Sequence, residues 1–213
     1  MKDILLILTE RREWFFELTL QHLYLSAVAV LIAAFLGLAL AVIISEHRSA
    51  AKYVLGFCNV IYTIPSISLL GLLLPISGIG NTTAVIALTV YALLPMIRNT
   101  YTGIEQIDPD ILEAAKGMGC TNPQMIFKIK LPLALPMILA GFRNMVVMTI
   151  ALAGICSYIG AGGLGLAIYR GITTNHQAMT VAGSLLIALL ALGSDILIGA
   201  WERRIKRKRR LPL

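Results

Sequence analysis

The feature that most limits this chain is its set of long stretches without charge: no Asp, Glu, Lys or Arg occurs in Leu23–Ile44, Tyr53–Ile97, Asn144–Tyr169 or Gly171–Ser194. A helix of about 20 apolar residues crosses a bilayer core, so the second stretch is long enough for two crossings and each of the others for one. Inside hydrocarbon the backbone must satisfy its own hydrogen bonds. Continuous Leu, Ile, Val and Ala runs do this as helices, whereas a membrane barrel needs short alternating segments. With 58% of its 213 residues hydrophobic and only 14% charged, the chain reads as an all-α membrane protein.

The second stretch divides at Ile76-Ser77-Gly78-Ile79-Gly80-Asn81-Thr82-Thr83, where clustered turn-forming residues favour a hairpin. Five spans result, at residues 20–45, 53–76, 82–98, 132–153 and 178–200. An odd number puts the termini on opposite sides, and the cations decide which side is cytoplasmic. Arg48, Lys52, Arg98, Lys116, Lys128, Lys130 and the seven cations from Arg203 to Arg210 make thirteen on one side, against Lys2, Arg11, Arg12 and Arg170 on the other. The positive-inside rule therefore predicts an external N-terminus and a cytoplasmic C-terminus. Residues 1–19 hold Ile4, Leu5, Leu8, Trp14, Phe15 and Leu18 at near-helical spacing, which predicts a short helix at the outer interface. The span region is then 20–200, with a cytoplasmic loop at 105–132 and a basic tail at 201–213. Directly after a span, that tail is expected to bind anionic lipid rather than nucleic acid.

The loop is a polar island with complete start and stop signals. Asp108-Pro109-Asp110 supplies an N-cap carboxylate, a proline for the first turn and a second acid at the positive end of the helix dipole. Helix is expected through Met118, ended by Gly119 at positive φ. Asn122-Pro123 repeats the start for a second helix, which Leu131-Pro132 is expected to stop. A compact helix–turn–helix of this kind is expected to be a docking element for a soluble partner, the alternative being an ordinary connection between spans: Ala114 and Ala115 allow close backbone approach, and Glu113 offers an acceptor to a partner or to the loop's own amides.

Catalytic signals are missing. The chain holds no G-x-x-x-x-G-K-[ST] loop, so any ATP and Mg belong to another polypeptide. Gly160-Ala161-Gly162-Gly163-Leu164-Gly165 spells G-x-G-x-x-G, yet it follows an apolar helix rather than a strand and has no acid about twenty residues on. Its glycine-rich surroundings, Gly154 to Gly171, forbid a straight helix and serve either as outer gate and partner dock or as a plain loop. Cys58, Cys120 and Cys156 lack metal-ligand spacing, and His22, His47 and His176 are scattered.

Within the spans, Arg143 and Asp195 are the ionisable residues furthest inside, and each is costly facing lipid. They either pair with one another or act separately, as a structural contact and a snorkelling helix end. Tyr62, Pro65 and Ser66, together with Tyr91, Pro95 and Asn99, place prolines in or at the ends of helices. They are assigned with Arg143 to a translocation path, the alternative being packing kinks.

The loop spacing E-A-A-x3-G-x9-I-x-L-P, carried by Glu113, Ala114, Ala115, Gly119, Ile129, Leu131 and Pro132, resembles the motif of permease subunits of ATP-binding-cassette importers. Tyr62-Thr63-Ile64-Pro65-Ser66, Tyr91-Ala92-Leu93-Leu94-Pro95, Arg98-Asn99-Thr100-Tyr101-Thr102-Gly103-Ile104 and Ile159 to Gly165 are similar to the osmoprotectant branch, which imports glycine betaine, carnitine and choline. The resemblance implies a type I importer permease fold and a transport subunit with no catalytic or cofactor site of its own. It further implies two ATPase subunits gripping the loop, a second permease, identical or homologous, and an extracellular solute-binding protein in a bacterial plasma membrane. A methionine or other amino-acid importer is the nearest alternative, and a secondary carrier a more distant one.

Overall fold

The computed structural model describes residues 2–209, and their regular structure is entirely helical. In chain order the elements are α1 (Lys2–Glu10), α2 (Arg12–Glu46), α3 (Arg48–Thr63), α4 (Ser66–Ser77) and α5 (Asn81–Glu105). After them come α6 (Pro109–Gly117), a single turn α7 (Asn122–Gln124), a π-helical segment (Met125–Lys130), α8 (Leu131–Ala153), a 3-10 turn (Ile155–Ile159), α9 (Gly165–Thr173) and α10 (Gln177–Arg209). Four helices are long and apolar enough to cross a bilayer, and α3 with α4 forms a broken fifth, bent by 101°.

Contacts at the helix ends fix the direction of each crossing. At one end, Gln21 of α2 accepts from the Gly163 amide at 3.2 Å, Asn81 of α5 accepts from the Gly162 amide at 2.9 Å, and the Gly80 amide reaches the Ile159 carbonyl at 2.9 Å. At the other, Lys130 meets Glu46 at 2.5 Å, and the ends of α2 and α5 border α6. The broken pair leaves the second end at Arg48 and reaches the first at Ser77, so it completes a crossing.

The centre is the packing of α2, α5 and α8, with Ala33, Ala92, Met96 and Met145 buried among them. Lipid is as apolar as these side chains, so close van der Waals contact, rather than escape from solvent, holds such helices together. Gly141 illustrates the closeness: a Cβ there would sit 2.7 Å from Asn99 Cβ and 3.1 Å from the Pro95 carbonyl oxygen.

Several expectations need correction. The second span is not one helix over 53–76: Pro65 offers no amide to continue α3, the chain turns at Ile64, and the Tyr91 hydroxyl takes the Ile64 carbonyl. The expected short N-terminal helix is present but covers only Lys2–Glu10, not residues 1–19. The break falls at Arg11, residues from 12 on begin the first span, and Ile7, Phe15 and Leu18 pack on Leu164, Ala167, Met179 and Ala182 of the α9–α10 region. Leu131-Pro132 does not stop a helix. The wider π turn at Met125–Lys130 precedes the proline and absorbs its missing amide, so helix is continuous from Asn122 to Ala153. The glycine-rich segment keeps more helix than expected, in the 3-10 turn and α9. The region assigned as a tail is largely helix too, since α10 runs to Arg209; Arg210 to Leu213, and the side chains of Lys208 and Arg209, lie outside the described residues.

Candidate functional site

The elbow between α5 and α8 is built by local chemistry. Asp108 caps α6 by accepting from the Asp110 amide at 2.9 Å. At its other end the Gly119 amide donates to the Lys116 carbonyl at 2.9 Å and the Cys120 amide to the Ala115 carbonyl at 3.1 Å. This Schellman pair needs a left-handed residue, and Gly119 supplies it at φ 79°. The next turn is capped by Thr121, not by Asn122: the Thr121 amide donates to Gln124 Oε1 at 2.9 Å and its carbonyl accepts from Met125 at 2.8 Å. These bonds, all within the elbow, occupy end groups of both helices.

Its two faces differ. Ala115, 1% exposed, and Met125 are buried, so Ala115 is a packing residue of the elbow and not, as expected, a point of close approach. Glu113, Ala114 and Gly119 are exposed, and Ile129, Leu131 and Pro132 are half-buried at the root. The elbow also carries two bare apolar side chains that sequence reasoning missed, Met118 at 78% and Phe127 at 69% exposure. The elbow's root meets the bundle around a crevice of about 320 Å³ bordered by Glu46, Ile104, Pro109, Leu112 and Lys130.

A second feature is a cleft of about 500 Å³ between α3, α5, α8 and α10. Tyr62, Pro95 and Asn99 line it, together with Arg98, Asn144, Met148 and Asp195. Tyr91 stands behind Tyr62, ring centroids 6.0 Å apart and edge-on, while Pro65 and Ser66 lie at the α3–α4 break rather than in the lining. The Tyr62 hydroxyl donates to Met148 Sδ at 3.1 Å, and Asn99 Nδ2 to the Pro95 carbonyl at 2.8 Å.

Arg143 pairs with Asp195 at the edge of this cleft, Nε to Oδ1 and Nη2 to Oδ2, both at 2.6 Å. Of the two arrangements open from sequence, the structure has the paired one. The pair continues along α10: Arg143 Nη1 lies 3.8 Å from Glu202 Oε2, and Lys206 Nζ 2.8 Å from Glu202 Oε1. Glu202 and Lys206 were missed, although Asp195, Glu202 and Lys206 share one helix face by their spacing of seven and four. Among the described residues no group of His, Cys, Asp and Glu is placed to hold a metal ion.

A multi-pass helical bundle with a self-capped, exposed elbow and a cleft between its spans has the architecture of a membrane permease. The comparisons agree: this chain belongs to the family of binding-protein-dependent transport system inner membrane components, which matches residues 29–207. It is similar to the carnitine transport permease protein OpuCD of Listeria monocytogenes serotype 1/2a (strain 10403S), 41% identical over 91% of this chain and 88% of that one. It is 43% identical to the osmoprotectant import permease protein OsmW of Salmonella typhimurium (strain LT2), over 85% of this chain and 87% of the relative. Among solved structures, the MetNI methionine ABC transporter in an inward-facing conformation has a chain of the same fold, at a TM-score of 0.80 and 24% identity, covering 92% of this chain and 96% of that one. The chain is thus the membrane subunit of an importer, with ATP hydrolysis on a separate subunit and a substrate-binding protein among its partners.

Proposed function

We propose that this permease imports quaternary ammonium osmoprotectants of the glycine betaine, carnitine and choline class. The reading rests on one observation above the others: relatives named for carnitine and osmoprotectant transport are 41% and 43% identical along nearly the whole chain. The likeness to a methionine transporter is a likeness of fold and carries no substrate. In this assignment the chain pairs with a second permease, identical or homologous, and the elbow sits in a cleft on each of two ATPase subunits, which hold the ATP and Mg. Glu113 and Ala114, with Met118 and Phe127, form the gripped face; Gly119, Ile129, Leu131 and Pro132 set its shape. The N-terminus lies outside, where an extracellular solute-binding protein delivers cargo, and the end of α10 lies in the cytoplasm with its cations near anionic lipid. When ATP closes the two motors, their clefts converge, and a stiff elbow transmits that movement to α5 and α8 as a rocking of the bundle.

Purified whole transporter in proteoliposomes, loaded with ATP inside and supplied with the binding protein outside, is expected to take up labelled glycine betaine, carnitine or choline and not methionine. Uptake of methionine alone overturns the substrate class. Glu113→Arg is expected to abolish recovery of the ATPase with the permease in a pull-down while leaving the permease folded in detergent; full recovery overturns the gripping role.

A further inference from the structure

The ion pair at the cleft's edge occupies a group the cargo can use, an inference that rests on the quaternary ammonium reading above. Among the described residues lining the cleft, Asp195 is the sole carboxylate and Arg98 the sole cation. Arg143 takes both Asp195 oxygens, leaving its Nη1 turned toward Glu202 at 3.8 Å. That distance is a loose contact, so Glu202 is a second acceptor standing ready for the same guanidinium. Lys206 occupies the other Glu202 oxygen at 2.8 Å, and the four charges Arg143, Asp195, Glu202 and Lys206 sum to zero. A cation arriving from the cleft can replace Arg143 at Asp195 while Arg143 closes on Glu202, and no carboxylate is left bare during the exchange.

The cleft also holds a fixed aromatic ring. Tyr62 is 44% exposed, yet its hydroxyl is tied to Met148 and its ring stands edge-on to Tyr91 at 69°. A quaternary ammonium group has no N–H and cannot be recognised by hydrogen bonding. It is held by an aromatic face and by a nearby negative charge. We propose that Tyr62 and Asp195 form a transient subsite for the ammonium head of the cargo, and that Arg143 is a positioning residue that covers Asp195 when the subsite is empty and passes to Glu202 when it fills. Arg98 stands in the same cleft to meet the carboxylate of a zwitterionic cargo.

The test uses the whole transporter in proteoliposomes with saturating binding protein and labelled choline. Tyr62→Phe keeps the ring but frees it from Met148, and is expected to import at a rate between those of wild type and Tyr62→Leu. Tyr62→Leu is expected to import about tenfold more slowly, with ATPase stimulation by the loaded binding protein retained. Glu202→Gln weakens the second acceptor and is expected to lower the solute moved per ATP. Equal uptake by Tyr62→Leu and wild type overturns the subsite, as does a fall in Tyr62→Phe as deep as in Tyr62→Leu. An unchanged solute-to-ATP ratio in Glu202→Gln overturns the hand-over. Wild-type vesicles that import none of choline, carnitine and glycine betaine reject the substrate class itself, a failure seen before any variant is compared.

Discussion

The elbow and the cleft are held by different kinds of interaction. The hydrogen bonds that cap and turn the elbow join residues a few positions apart: Asp108 with Asp110, Lys116 with Gly119, Ala115 with Cys120, Thr121 with Gln124. The cleft depends on contacts between helices far apart in the chain, Tyr62 with Met148, Arg143 with Asp195, and Gly141 against Asn99. A lever must keep its shape while the body around it moves, and local bonds travel with it. A pathway must change shape, and contacts between helices can be exchanged when those helices rock. In the proposed function the elbow transmits and the cleft yields, and the difference in contacts fits that division.

The largest effect is expected where the cleft's wall is tightest. In Gly141→Val the new Cβ would meet Asn99 Cβ at 2.7 Å and the Pro95 oxygen at 3.1 Å, so α5 and α8 have to part. Overpacking of this kind costs about 1–3 kcal/mol. Thermal unfolding of the detergent-solubilised chain is expected at clearly lower temperature, with hydrogen exchange of the elbow amides unaltered. An elbow that loosens in parallel would break the division between the two regions.

A smaller and strictly local effect belongs to Asp108→Ala, which removes the cap that holds the Asp110 amide at 2.9 Å. Loss of an N-cap costs about 1 kcal/mol. Faster exchange confined to residues 109–117 is expected, with Asp108→Asn close to wild type because its side-chain oxygen still accepts. Loosening of the cleft helices in Asp108→Ala would mean that the elbow's order is not its own.

The same division explains what could be read from the chain. The elbow was legible because caps, first-turn prolines and a glycine of positive φ act over three or four residues, and its errors were of the same short range: Thr121 for Asn122 as cap, and a π turn that let the helix pass Pro132. Charge-free runs gave the crossings for a similarly direct reason. Sequence could not show the 101° break in the second span as more than a proline kink, because its geometry depends on Tyr91 reaching the Ile64 carbonyl from another helix. Arg143 and Asp195 were visible as costly charges, but pairing depends on the register of α8 against α10, and no pattern within either helix sets that. Buried Ala115 shows the limit inside the elbow as well. Two adjacent alanines, Ala114 and Ala115, are equivalent in sequence, and only helix phase turns one outward and the other into the packing.

An ion pair ties the elbow to the end of α2. Lys130, at the elbow's root, reaches Glu46 at the end of α2 at 2.5 Å, with side-chain exposures of 13% and 34%. A pair open to solvent on one side is worth about 0.2–1 kcal/mol, so Lys130→Gln is expected to give the smallest loss of stability of the three. Its value lies in its salt dependence. If charge is what ties the elbow to α2, the gap in unfolding temperature between wild type and Lys130→Gln should close as ionic strength rises, because salt screens the wild-type pair and leaves the variant little changed. A gap that persists at high salt would assign the tie to the lysine's methylene stem packed in the joint, and the elbow would then be fastened to the bundle by shape rather than by charge.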